Sequence, residues 1–177
     1  MSKLLIASDH AGFILKEKLI AYLEKKGIAV KDLGTHSKDR CDYPLYAYEL
    51  AKNISNGKFK RGILICKSGV GTAIVANRLT GVRAALCHNL KIAKLSRQHN
   101  DSNVLVLGSA FVKADLAKRM VTGWLNTKFL GGRHLRRLRL INKIDKNLTP
   151  GANWYHPTLK GFALVWPRGH ASVHPQG

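Results

Sequence analysis

The sequence predicts an α/β fold in which a five-stranded parallel sheet is covered by helices on both faces. Two observations carry this reading. Short apolar runs alternate with amphipathic segments up to about Asn147, and the amphipathic segments carry helical i, i+4 spacing. Alternation of this kind calls for right-handed crossovers and a parallel sheet, the strands lying side by side under two helical layers. The length of 177 residues, 45% of them apolar, then suffices for one domain whose core needs no covalent staples.

The elements follow in order. Residues 4–8 are an apolar run and read as a buried first strand. A helix over 13–26 places Leu15, Leu19 and Leu23 on one face, with Gly27 as its C-terminal stop. The second strand is expected over 28–33. Asp42-Tyr43-Pro44 opens a helix over 44–56, proline being tolerated in a first turn. A third strand over 62–66 leads through a glycine-rich turn into a helix over 71–79. Strand 82–87, helix 90–97 and strand 104–107 continue the alternation, and helices over 113–126 and 132–146 complete it. Residues 1–147 are thus expected to form one domain. Beyond it, Pro150, Gly151, Pro157, Pro167, Gly169 and Pro175 break any periodicity, and no acidic residue occurs. Residues 148–177 read as an irregular, flexible C-terminal extension, with a partner-binding or lid segment using Trp154 and Trp166 as the functional alternative.

Composition excludes several classes. No run approaches the ~20 apolar residues of a membrane span. The first residues, MSKLLIASD, turn acidic too soon for a secretory signal. Cys41, Cys66 and Cys87 are odd in number and lack metal-ligand spacing, so a reducing cytoplasm is expected and neither a disulfide framework nor a structural zinc. The net charge of +20 invites a polyanion partner, yet it is spread over many helices, and only Lys160 and Arg168 of the basic residues lie in the extension. An anionic small substrate, a nucleic acid and plain solubility all remain compatible with it.

Polar clusters stand where strands give way to helices, the place where parallel sheets bind ligands. Asp9-His10-Ala11-Gly12 follows the first strand; it can share a proton or bind hydroxyls, or be an Asp cap beside an exposed His. Cys66-Lys67-Ser68-Gly69-Val70-Gly71-Thr72 follows the third. Its glycines let successive N–H groups turn toward one point, a nest for a negative oxygen, and Lys67 with the following helix start favours a thiolate at Cys66. A buried cysteine before an ordinary glycine turn is the alternative. Arg97 to Asn103 reads as a polar loop entering the fifth strand from its amino end, so His99 and Asn100 stand away from the other clusters. Arg133 and Arg137, four apart at the start of the last helix, suit a phosphate or form a solvated basic face.

Taken together, Ser8-Asp9-His10-Ala11-Gly12, Asp42-Tyr43-Pro44, Gly62 to Cys66, Gly69-Val70-Gly71, Ala76-Asn77-Arg78, Arg83 to Cys87, His99 to Leu105 and Gly131-Gly132-Arg133-His134 resemble the ribose-5-phosphate isomerase B family, which includes the galactose-6-phosphate isomerase subunits. The resemblance implies a three-layer αβα sandwich with a Rossmann-like sheet. It also implies a homodimer or dimer of dimers with active sites between subunits, acting without metal or organic cofactor. Carried over, Cys66 is the base that moves a proton between C1 and C2 of a sugar phosphate through a cis-enediolate. Asp9, Ser68 and His99 assist ring opening; Gly69, Val70, Gly71 and Asn100 hold the enediolate oxygens. His10, Arg133 and Arg137 grip the phosphate, and Tyr43 lines the sugar pocket. The expected reaction interconverts ribose 5-phosphate and ribulose 5-phosphate, in the pentose phosphate pathway. A six-carbon sugar phosphate, of allose or galactose, is the enzymatic alternative, and a basic nucleic-acid module the non-enzymatic one. The chain departs from the family at Lys67, where the family carries glycine; a lysine there is strained if the turn needs a positive φ.

Overall fold

Runs of branched aliphatic residues become the centre of the sheet. LLIAS, GILIC and VLVLG form β1 (Leu4–Ser8), β3 (Gly62–Cys66) and β5 (Val104–Gly108), each buried along its whole length as strands covered on both faces must be. The shorter β2 (Val30–Asp32) and β4 (Ala84–Leu86) are the edges. All pairings are parallel and the order is β2-β1-β3-β5-β4. This is the topology of a computed structural model that describes residues 3–147; the extension expected over 148–177 lies outside the described residues.

Alternation along each strand divides the core in two. Ile6, Ile63, Ile65, Leu105 and Leu107 face α1 (Phe13–Lys25), α4 (Leu90–Asn100) and α5 (Ala114–Asn126), where Leu19, Met120 and Trp124 are fully buried. Leu5, Ala7, Leu64 and Val106 face α2 (Tyr43–Ser55) and α3 (Val70–Ala76), packing on Ala47, Leu50 and Ala76. The three-layer αβα sandwich is therefore present. β1 sends its chain to α1 on one face and β3 sends its chain to α3 on the other. Between these neighbours the connections diverge, leaving a crevice at the carboxyl ends of β1 and β3.

Several boundaries differ from expectation, each for a local reason. β2 begins two residues late because Ile28 N–H still closes α1, donating to Leu23 O at 3.0 Å beyond the left-handed Gly27. β4 begins at Ala84 because Val82 N–H bonds back to Leu79 O, while the Asn77 amide pins Ala84 N and O at 2.8 and 2.9 Å. The helix expected over 71–79 correspondingly ends at Ala76. α4 runs on to Asn100 and closes at Asp101, which is left-handed with φ 44°. Arg97 Nη1 holds that end, donating to Asp101 Oδ1 at 2.7 Å and Ser102 O at 2.6 Å. His99 and Asn100 thus sit in a final helical turn and not in a loop.

The last helix, α6 (Gly132–Asn147), leans on α4. It buries His134 and Leu138 but leaves Leu135, Leu140, Ile141 and Ile144 exposed. No helix among the described residues is long and apolar enough to cross a membrane.

Candidate active site

Cys66 ends β3 with its side chain almost wholly buried, 4% exposed. The chain then turns sharply so that Gly69 N–H donates to Cys66 Sγ at 3.1 Å. Thr72, one turn into α3, sets its hydroxyl 3.5 Å from the same sulfur and donates to Gly69 O at 3.0 Å. Gly69 has φ 82°, and a Cβ there would stand 2.4 Å from Leu86 Cδ1 and 3.2 Å from Gly108 N. This is the position that demands glycine. Lys67 carries no positive φ, since Asp101 is the one non-glycine residue with that conformation among the described residues. The strain that a lysine would suffer therefore does not arise, and the turn forms with Lys67 in it. Its side chain is exposed, while its carbonyl accepts Ala110 N–H at 3.1 Å.

The turn also sorts the N–H groups. Gly69 N–H is directed at sulfur and Val70 N–H at Ser68 Oγ, 3.3 Å away. Gly71 N–H, in the first turn of α3, has no partner within its helix. Of the expected three-residue nest, Gly69 serves the thiol and Val70 the Ser68 hydroxyl, which leaves the Gly71 N–H without a partner among the described residues. Tyr43 closes that side: its ring lies where a Cβ on Gly71 would be, 2.5 Å from Cζ. Asp9 follows β1, is 6% exposed, and accepts Gly12 N–H at 2.9 Å through Oδ1. A Cβ on Gly12 would lie 2.7 Å from Ile65 O, so the β1 and β3 loops touch. His10 Nδ1 lies 3.2 Å from Cys41 O and 3.3 Å from Cys41 N, which turns Nε2 outward. Beside His10 opens a cavity of about 520 Å³ whose walls include Lys18, Lys67, Ser109 and Lys113. Asp9, His10, Tyr43, Cys66, Ser68, Gly69, Val70 and Gly71 are thus gathered at one end of the sheet.

The other expected site residues are gathered at the opposite end. Asn103 O accepts Gly62 N–H at the amino ends of the strands, whereas Ser109 N–H donates to Cys66 O at the carboxyl ends. At ~3.3 Å per residue, a five-residue strand holds the two ends roughly 13 Å apart. On the amino side, the rings of His99 and His134 stack with centroids 4.2 Å apart and planes 5° from parallel. Leu130 N–H donates to Gln98 O at 3.1 Å, which ties the start of α6 to the end of α4. Arg133 and Arg137 flank His134. Its burial, then the positive charges of His99, Arg133 and Arg137, holds His134 below the ordinary histidine range. Asn100 O accepts Arg83 Nε at 3.0 Å.

Sequence reasoning did not single out Thr72 or His134. Thr72 follows Cys66 by six residues, a spacing that acquires meaning only once the turn folds back. His134 lies beside Arg133 in a basic run and needed the stack on His99 to stand out. At the other buried thiol, burial pushes Cys87 up to about 11, only partly countered by Ser96. Among the described residues no three His, Cys, Asp or Glu side chains come together as a metal site would require.

Comparison with known proteins agrees with this fold. The Ribose/Galactose Isomerase family model matches residues 4–141. Ribose-5-phosphate isomerase B of Escherichia coli strain K12 is 46% identical over 146 residues, covering 82% of this chain and 98% of the relative. A ribose-5-phosphate isomerase B structure from Clostridium thermocellum superposes with a TM-score of 0.80 at 43% identity, over 82% of this chain and 98% of that one. The Mycoplasma genitalium enzyme, solved with bound ribulose-5-phosphate, gives a TM-score of 0.78 at 41% identity, over 81% and 96% of the two chains. On the fold, the crevice loops and these matches, the chain belongs to the ribose/galactose isomerase family.

Proposed function

We propose that this protein interconverts ribose 5-phosphate and ribulose 5-phosphate, with Cys66 as the base. The observation that carries the reading is the seat of Cys66 Sγ. The sulfur sits in the crevice between diverging loops and takes a backbone N–H at 3.1 Å. Relatives of this chain named ribose-5-phosphate isomerase B, one of them holding ribulose-5-phosphate, support the choice of sugar.

The proton inventory is simple. The thiolate takes the C2 proton of the open aldose, and the electron pair becomes the C1–C2 double bond of a cis-enediolate. The O2 proton passes to O1, and the thiol returns its proton to C1, giving the ketose. The enediolate carries the developing charge, so N–H donors fixed before reaction lower its barrier. Gly71 N–H supplies one and the Asn100 amide another; Gly69 N–H acts through the sulfur. Asp9, Ser68 and His99 move the protons of ring opening. Outward-turned Nε2 of His10, with Arg133 and Arg137, anchors the phosphate away from the reacting carbons.

Two copies of the chain complete each site. His99, Asn100, Arg133 and Arg137 stand a strand's length from Cys66 in their own chain. A two-fold axis would bring them to the partner's crevice, and it would do so twice. The exposed apolar side chains of α6 support this reading, since they give a second copy a surface to cover. Such a dimer acts in the cytoplasm, where its three free cysteines stay reduced.

The test is turnover of ribose 5-phosphate by purified protein without added metal. Cys66→Ala should lower kcat at least ~10³-fold and stop deuterium exchange at the substrate carbon, with Tm little changed. A Cys66→Ala protein that still exchanges the proton would overturn the assignment. Comparing kcat/KM for ribose 5-phosphate, allose 6-phosphate and galactose 6-phosphate decides the sugar.

A further inference from the structure

Four cations surround one cavity at the amino ends of the strands, the end opposite Cys66. Lys60, Arg61, Arg83 and Arg97 line about 330 Å³, and Asp101 is the one carboxylate in its wall. That carboxylate is already divided. Its Oδ1 takes Arg97 Nη1 at 2.7 Å and its Oδ2 takes Arg83 Nη2 at 2.9 Å.

Arg61 makes no ion pair among the described residues; its Nη1 donates to the backbone oxygen of Leu125 at 2.8 Å. Burial, then the charge of Arg97, holds Arg61 below the ordinary arginine range. Both guanidiniums lie 5.7 Å from the ring of Trp124, which brings two like charges onto one buried aromatic. Arg97 is 5% exposed, and its Nε–H has no partner among the described residues. An N–H left unpaired in the interior is expensive, and buried polar groups are otherwise almost always satisfied. A positive cluster short of negative charge and a buried donor short of an acceptor are separate deficits. An anion in the cavity relieves the first, and its charge acts on the second from beside Arg97, which lines the same wall.

We propose that this cavity binds a small oxoanion, a phosphate group that is either free or terminal on a metabolite. The guanidinium fork matches tetrahedral oxyanions through paired charge-assisted hydrogen bonds. Arg61 has such an edge to offer, while Arg83 already donates to Asn100, Asp101 and Gly81 and adds charge to the wall. The site is distinct from the substrate anchor, which uses His10, Arg133 and Arg137, and it does not depend on the isomerase assignment.

The experiment uses the full chain carrying Arg133→Gln and Arg137→Gln, so that the substrate anchor is weakened. Inorganic phosphate is titrated against chloride at constant ionic strength, followed by calorimetry and by the ¹⁵N resonance of Arg97 Nε–H. Saturable uptake of one phosphate per chain with a shift of that resonance is expected. Adding Arg61→Gln should weaken uptake about ten-fold or more, the loss of one charge-assisted contact, with Arg61→Lys in between. Absence of saturable binding, an equal response to chloride, or an affinity indifferent to Arg61→Gln would each overturn the proposal. Should Arg61→Gln fail to fold, the Arg97 resonance decides, and its indifference to phosphate is the negative result. Repeating the titration with glycerol 3-phosphate identifies the source. Binding of both anions means that a terminal phosphate is read; binding of inorganic phosphate alone means that the cavity takes the free ion.

Discussion

Cys66 and Cys87 are both buried at the ends of apolar runs, yet their neighbours differ. Cys87 faces the core and is pushed up to about 11, so it stays a thiol. Cys66 receives an N–H because Gly69 adopts a backbone that other residues avoid. Gly69→Ala should therefore destabilise the protein by roughly 1–3 kcal/mol and lower kcat as well, readable from thermal melts and steady-state rates. Lys67→Gly should behave differently. With no positive φ to relieve, it should leave kcat within a few-fold and lower stability by about 0.5–1 kcal/mol through the freer unfolded chain. A large gain in activity would mean that Lys67 obstructs the crevice. The sequence pointed to Cys66 as a candidate base only through the family resemblance, since by itself the segment also read as a buried cysteine before a glycine turn. It could not show which N–H points at sulfur, because that depends on the φ of one residue.

Among the elements, α4 and α6 depart most from what periodicity suggested. The apolar pattern of α4 fades after Leu95, so a loop from Arg97 onward was a fair reading. The helix is carried on to Asn100 by contacts that a pattern does not encode: the Arg97 fork on Asp101 and Ser102, and the left-handed Asp101 itself. His99 is thereby held rigidly under His134. This stack has a pH dependence. The folded state lowers His134, so the unfolded chain binds a proton more readily, and stability rises with pH wherever only the unfolded state is protonated. The contribution is complete above the ordinary histidine value of about 6.5 and is lost as pH falls toward the lowered one. Thermal melts between pH 5 and 8, set at about those limits around the histidine range, should show an acid slope that His134→Gln flattens. Parallel profiles would exclude the stack as its source.

At the scale of the molecule, a five-stranded parallel sheet between two helical layers was legible because alternation admits few arrangements, and the crevice position follows once the strand order is added. The separation of the candidate site into two ends was only half legible. It was plain that His99 entered β5 from the wrong side, but no single sequence says how two copies meet. Mixing tests the intersubunit reading directly. Cys66→Ala and His99→Ala chains should each be nearly inactive. After exchange of subunits, half of the dimers are mixed and each has one intact site in two, so about a quarter of wild-type activity should return. No recovery would place all the groups in one chain. The charge of +20 belongs to the same scale: a positive field speeds capture of a phosphorylated sugar, and its benefit should fade as salt is raised.

In the proposed intersubunit site, the strand's length between Cys66 and His99 also ties catalysis to abundance. A chain that cannot fold back on itself to meet its own helper has no slow private version of the reaction. Below the concentration at which copies pair, the yield per chain falls with every dilution, and total rate follows the square of the amount present. Scarce chains would idle, and crowding them together, even with catalytically silent companions that still offer His99, would bring them back to work.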